Sequence, residues 1–148
     1  MRLPSPILYD PNKHKALLNQ VAAIHVQCIT QDGTLVTFLP DKDGTVDHQK
    51  VLDYWTKYSD QVAAGARTIV LQFTDDSEAE VMGYVSLDMP FSETGPFRGE
   101  VQKLMVNPKH RYRGVARRLM GKLEDVAREK GRWMLVRLPF RQGAQSVR

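Results

Sequence analysis

Residues 100–116 constrain this chain more than any other stretch. Glu100-Val101-Gln102-Lys103-Leu104-Met105-Val106 is rich in β-branched and apolar residues and ends at Asn107-Pro108, so it predicts a strand closed by a turn. Beyond Arg111-Tyr112-Arg113-Gly114, the apolar residues Val115, Leu119, Met120, Leu123, Val126 and Ala127 recur at three- and four-residue intervals, the period of one helix face. Arg117, Arg118, Lys122, Glu124, Asp125, Arg128, Glu129 and Lys130 fall between them as a solvated face, Glu124 and Arg128 are spaced as an i,i+4 pair, and Gly131 closes the helix. The unit reads strand, turn, helix.

A helix that starts near Gly114 points unpaired N–H groups and the positive end of its dipole at the turn, which suits an anion. Gly114 and Ala116 are small enough for close approach, and Lys109, Arg111, Arg113 and Arg117 add positive charge. Motif and charge by themselves leave open an ordinary exposed basic helix start. Charge along the chain is segregated: residues 98–148 carry net +10 and residues 1–97 net −6, within an overall +4. A basic half invites a nucleic-acid partner. The cations gather at a glycine turn, however, and no zinc, helix-turn-helix or aromatic stacking signature accompanies them, so a compact polyphosphate fits better and nucleic acid is not the expected ligand. The acidic half favours a cationic, amine-bearing substrate.

The remaining elements follow from pattern. Ile7-Leu8-Tyr9 is a short first strand, and Asp10-Pro11 suits a helix entry. A helix over about 13–30 has an apolar stripe of Leu17, Leu18, Val21, Ala22, Ile24, His25, Cys28 and Ile29 and ends at Gln31-Asp32-Gly33. A second helix, capped by Asp47 and running to about Ala64, buries Val51, Leu52, Trp55, Tyr58 and Val62. Arg67–Phe73 and Glu80–Leu87 form an antiparallel hairpin, residues 90–99 a loop, and Arg132–Val136 a last strand. His25 reads as a packing residue, and His14, His48 and His110 stand apart from one another, so no metal site is expected. The single cysteine, Cys28, lies in an apolar stripe and reads as a buried thiol, which fits a reducing cytoplasmic compartment. No apolar run approaches the roughly 20 residues that span a bilayer, and Met1–Pro6 lacks a signal-peptide core. A length of 148 residues suits one domain.

Arg111-x-x-Gly114-x-Ala116, placed after this strand and before this helix, resembles the Q/R-x-x-G-x-G/A signature of the GNAT N-acetyltransferases, and in detail the subfamily of the tabtoxin resistance protein. Thr30-Gln31-Asp32-Gly33 with Val36 and Phe38 resembles that subfamily's substrate-side loop, and Val81-Met82-Gly83-Tyr84-Val85 the strand before the signature. The resemblance runs from about residue 15 to residue 136. It implies an α/β fold built on a mixed α+β sheet, acetyl-CoA as cosubstrate, and transfer of the acetyl group to a small-molecule amine by direct attack. Glu100 matches a glutamate with a general-base role; the alternative for it is a strand-end carboxylate paired with Lys103 or Arg98. Implied cofactor-side residues are Leu104, Met105 and Val106, with Leu104 and Val106 acting through backbone groups, and Arg111, Tyr112, Arg113, Gly114, Val115, Ala116 and Arg117. Asp32, Val36 and Phe38 are the implied acceptor side.

The tail departs from the pattern. Where relatives read Leu-Asp-Thr, with a second acid/base candidate, this chain reads Arg137-Leu138-Pro139-Phe140, and only five residues follow Gly143. The family's further helix and two strands are therefore expected to be missing, the mark of a truncated product or of a fold completed by another chain, including a homo-oligomer. Two functions follow: an active N-acetyltransferase, or a coenzyme A binding module without turnover.

Overall fold

The structure is a computed structural model that describes residues 3–32, 46–89, 98–132 and 134–137; at 31, 32, 98 and 134–137 only the backbone is described. Among the described residues a five-stranded sheet has the order β1 (Ile7–Leu8), β2 (Arg67–Phe73), β3 (Val81–Asp88), β4 (Arg98–Val106), β5 (Met134–Arg137). Neighbours from β1 to β4 are antiparallel, and β5 joins β4 in parallel through the helix α4 (Val115–Glu129). This is the mixed α/β architecture expected from the sequence. β4 begins two residues earlier than expected and β5 is shifted to Met134–Arg137.

The helix expected over 13–30 is instead α1 (Pro11–His14), a 3-10 turn (Lys15–Leu17) and α2 (Leu18–Asp32). Asp10 caps α1 by accepting from Asn12 N–H at 2.9 Å. The interruption lies at His14, whose backbone leaves helical geometry while its ring accepts from Asp10 N–H through Nδ1 (2.9 Å) and meets the Glu78 carboxylate through Nε2 (2.9 Å). His110 likewise meets Glu80 at 2.8 Å. Neither histidine is isolated, then, yet among the described residues no cluster of three potential metal ligands exists. α3 (His48–Ala63) starts as expected on Asp47, which accepts from Gln49 N–H at 2.9 Å.

Strand alternation gives the sheet two faces. Ile69, Leu71, Phe73, Tyr84 and Met105 pack under α2 and α3 with Val21, Cys28, Val51 and Trp55. Val70, Met82, Val85, Leu87, Val101, Leu104 and Val106 pack under α4 with Val115, Leu119 and Leu123. Between β3 and β4 the α4 layer comes very close: a Cβ on Gly83 would lie 2.7 Å from Met105 O and 3.2 Å from both Val106 Cα and Val115 Cγ1. Gly83→Ala should therefore cost about 1–3 kcal/mol by overpacking, read as a lower urea midpoint with an unchanged slope.

His25 is fully buried and accepts from Trp55 Nε1 at 3.0 Å through Nδ1. Burial, with Lys103 adding to it, holds its pKa down at about 3. In the unfolded chain the ring titrates near 6.5. Between those values only the unfolded state takes up the proton, so stability contributed by neutral His25 is complete above about pH 6.5 and falls by up to about 1.4 kcal/mol per pH unit on acidification. Urea melts at pH 7 and pH 5 should differ, and His25→Gln should shrink the difference.

Arg118 corrects the expected solvated face of α4, on which Glu124 is exposed as expected but is not the partner of Arg128. Arg118 is half-buried and donates to Gln72 Oε1 (3.1 Å), Leu3 O (3.0 Å) and Pro4 O (2.8 Å), holding the N-terminal segment against the sheet. Arg128 pairs with Asp125 at 3.3 Å, one turn position nearer than Glu124. Among the described residues no helix is long and apolar enough to cross a membrane.

Candidate active site

Register creates the first half of the site. Val106 stands opposite Gly83 and Met105 opposite Tyr84, but one step further Gln102 stands opposite Ser86. Val85 thus faces two β4 residues, Lys103 and Leu104, and Lys103 takes a left-handed backbone, φ 54. This is a β-bulge. Its extra residue keeps Gln102 and Lys103 on the α2/α3 face while returning Leu104 and Val106 to the α4 face; an unbulged strand would reverse the residues beyond it.

Asn107 N–H donates to Met82 O at 2.8 Å, so by antiparallel alternation Met105 turns its backbone groups to β3 whereas Leu104 and Val106 turn theirs away. On that far side β5 pairs with β4 only from Arg98 to Val101. The backbone of Leu104 and Val106 therefore lies along a sheet edge that β5 does not cover among the described residues, and the Val106 carbonyl accepts from the Cys28 thiol at 3.6 Å.

The turn after β4 supplies the second half. Gly114 is the N-cap of α4 with φ 74 and no side-chain cap, and the first turn holds no acidic residue. Arg118 N–H makes the first helical bond, to Gly114 O at 3.1 Å; the N–H groups of Val115, Ala116 and Arg117 have no helical acceptor. α1 and α3, by contrast, are both capped by aspartate. A Cβ on Gly114 would meet nothing within 4 Å, so glycine is required there by the positive φ and not by crowding. Tyr112 is also left-handed, φ 66, and fully exposed. Two strained non-glycine residues, Lys103 and Tyr112, thus flank one unit, as strain often does at sites.

A polar row crosses the opposite face of the sheet. Arg67 stands opposite Asp88, and Asp88 opposite Glu100; a second row pairs Ser86 with Gln102. Arg67 is 5% exposed and donates to Gln61 Oε1 (2.8 Å), Ser86 Oγ (2.6 Å) and Gln102 Oε1 (3.1 Å), with Asp88 3.7 Å away. Its guanidinium lies 3.6 Å over the Tyr58 ring, the Tyr54 and Tyr58 hydroxyls are bonded to each other, and Tyr58 donates to Gln102 Oε1 at 3.5 Å. Lys103 Nζ sits 5.8 Å from the Tyr54 ring centroid. Burial, then the Arg67 charge, hold the Lys103 ammonium below the usual lysine range. Among the described residues the geometry offers a helix N-terminus with no side-chain cap, an uncovered strand edge beside it, and a half-buried patch of acid, base and hydroxyl groups across the strand.

Residues 34–147 match the family model of the acetyltransferase (GNAT) family. The chain belongs to this family. Its fold is shared with the yncA protein of Salmonella typhimurium, solved with its cofactor acetyl-CoA, at 20% identity over 91% of this chain and 69% of that one, TM-score 0.64. It is shared also with the ribosomal-protein-alanine N-acetyltransferase of Brucella melitensis, at 18% identity over 90% and 73%, TM-score 0.64. A Clostridium acetobutylicum protein solved with acetyl-CoA gives 13% identity over 93% and 81%, TM-score 0.61.

Within this GNAT chain, Leu104, Val106, Arg111, Tyr112, Arg113, Gly114, Ala116 and Arg117 gather around the strand edge and the turn. Two expected cofactor-side residues have other work: Met105 is 3% exposed, with its sulfur accepting from Tyr84, and the Val115 side chain is 2% exposed in the α4 layer, leaving only its N–H. Lys109 is tied to Glu80 at 3.1 Å, and Arg111 is half-buried with Nη2 3.9 Å from Cys28 Sγ. Arg113 and Arg117 are exposed and form no ion pair among the described residues. Glu100 is half-buried on the same face as Gln102 and Lys103, and among the described residues its side chain has no hydrogen bond or ion pair; it is not held by Lys103. Asp32 closes α2, its side chain outside the described residues, and Val36, Phe38 and the tail beyond Arg137 also lie outside them. Sequence reading missed Arg67, Tyr54 and Gln102. An arginine opening a largely apolar, fully buried strand was the available signal.

Proposed function

We propose that the chain transfers an acetyl group from acetyl-CoA to the amine of a small molecule by direct attack, with Glu100 as general base, as its resemblance to the tabtoxin resistance protein group also suggests. The observation that carries this reading is the meeting of an α4 N-terminus that has no side-chain cap with an edge of β4 that no strand covers among the described residues. The free N–H groups of Val115, Ala116 and Arg117, with Arg113 and Arg117, suit phosphate oxygens. The outward backbone groups of Leu104 and Val106 suit the amide-bearing arm of the cosubstrate, and an N–H there would polarise the thioester carbonyl. Acetyl-CoA supplies the activated acetyl thioester. The neutral acceptor amine forms the new C–N bond as the C–S bond breaks, its proton passes to Glu100, and coenzyme A leaves as the thiolate. The cytoplasm is the proposed compartment, because a lone cysteine cannot form an internal disulfide, which fits a reducing environment.

Free-thiol release from acetyl-CoA in a screen of small amines tests the reading. Acceptor-dependent release is expected; acetyl-CoA binding in calorimetry without release from any acceptor would instead favour a binding module without turnover.

A further inference from the structure

Two buried histidines of this chain share one arrangement. Each follows a lysine, and each is met by a carboxylate from the segment between β2 and β3: Lys13 and His14 by Glu78 (3.3 and 2.9 Å), Lys109 and His110 by Glu80 (3.1 and 2.8 Å). The first pair belongs to α1. The second belongs to a 3-10 turn (Pro108–His110) on the path from β4 to the start of α4.

Glu80 is itself held firmly. Gln20 on α2 donates through Nε2 to Ala79 O (2.7 Å) and accepts from Val81 N–H (2.8 Å), while Thr74 N–H donates to Glu80 O at 3.1 Å. Hydrogen bonds from His110 and then Lys109 hold the Glu80 carboxyl below the usual carboxylate range, so it stays charged at neutral pH. His110 is 8% exposed, and among the described residues its Nδ1 has no hydrogen-bond partner, so the bond from Nε2 to Glu80 orients the ring. A second mooring lies two residues further on, where Met82 O accepts from Asn107 N–H at 2.8 Å. The turn is thus fixed to the entry of β3 by both side chain and backbone. Arg111, Tyr112 and Arg113 then lead to Gly114, and Tyr112 and Gly114 are both left-handed, φ 66 and 74. A non-glycine residue keeps such a backbone where the surrounding structure over-determines it.

We propose that Glu80 and His110 are positioning residues for acetyl-CoA, with the Glu80 carboxylate holding the 3-10 turn so that the Tyr112–Gly114 backbone and the first N–H groups of α4 are set for phosphate in advance. This rests on the phosphate site placed at Gly114 above and adds to it two residues that act through the turn. The sign of the effect separates this role from simple charge. A carboxylate near a phosphate site repels the anion and neutralises Lys109, so by Coulomb's law its removal would tighten binding. Preorganisation requires that removal weaken it.

Calorimetry on the full chain should show acetyl-CoA affinity about tenfold lower in Glu80→Ala, and lower also in His110→Phe, which keeps a buried ring and removes the hydrogen bond. In thiol-release assays the Glu80→Ala loss should fall on KM for acetyl-CoA and spare kcat. KM for S-acetylpantetheine, a thioester without the nucleotide phosphates, should stay unchanged. Glu78→Ala is the control: it breaks the matching contact to His14, so it should lower the melting temperature comparably and leave acetyl-CoA affinity as it was. Binding that is unchanged or tighter in Glu80→Ala, or that falls equally in Glu78→Ala, would overturn the proposal; the phosphate site itself then stands if Gly114→Glu still abolishes binding. Absence of acetyl-CoA binding by the unsubstituted protein would overturn both.

Discussion

Gly114→Glu should abolish acetyl-CoA binding, with calorimetric affinity falling by at least about 100-fold. Three effects add at this position. The N-cap of α4 has φ 74, where a residue with a Cβ costs about 1–2 kcal/mol. A carboxylate can cap the helix, occupying N–H groups that would otherwise receive phosphate oxygens. Its charge also opposes the anion directly. Gly114→Ala separates the first effect from the others, because a methyl group there meets nothing within 4 Å; it should weaken binding far less. A thermal-shift experiment gives an independent readout: acetyl-CoA should raise the melting temperature of the unsubstituted protein and not that of Gly114→Glu. Unchanged affinity in Gly114→Glu would mean that the turn is not the phosphate site.

Glu100→Gln should lower kcat by about 10²- to 10⁴-fold while leaving acetyl-CoA affinity intact. A general base takes the proton of the attacking amine, so the loss should appear in kcat at neutral pH. The defect should shrink as pH approaches the acceptor amine's own pKa, where the neutral nucleophile forms without help. Glu100 is suited to this task because its side chain is half-buried and makes no ion pair among the described residues, whereas its neighbour Asp88 is committed to Arg67. Full activity of Glu100→Gln at pH 7 would remove it from the mechanism.

Much of this architecture is legible in the sequence because it is written in local periodicity. Arg67–Phe73 is a strand as the residue pattern predicts, and α3 and α4 begin at Asp47 and Gly114 as their capping chemistry predicts. The misreadings arise where a distant contact overrides local preference. The helix expected over 13–30 is broken at His14 because its ring is held by Glu78, 64 residues away. Arg118 has the spacing of a solvated residue, yet the N-terminal segment returns to it with two carbonyl groups. Lys109 counts as phosphate-binding charge until Glu80 is found beside it.

The sequence by itself determined the strand-turn-helix unit, the glycine at its helix start and the family resemblance, since these depend on residues close together in the chain. Tertiary structure alone decided the register. The bulge at Lys103 sets which β4 residues look at α4 and which at α3. It also aligned Arg67, Asp88 and Glu100 from three strands into one row. The physical reason is that side chains alternate with a period of two: one inserted residue moves every later side chain to the other face, and where that insertion falls is settled by pairing between strands and not by the composition of any one of them.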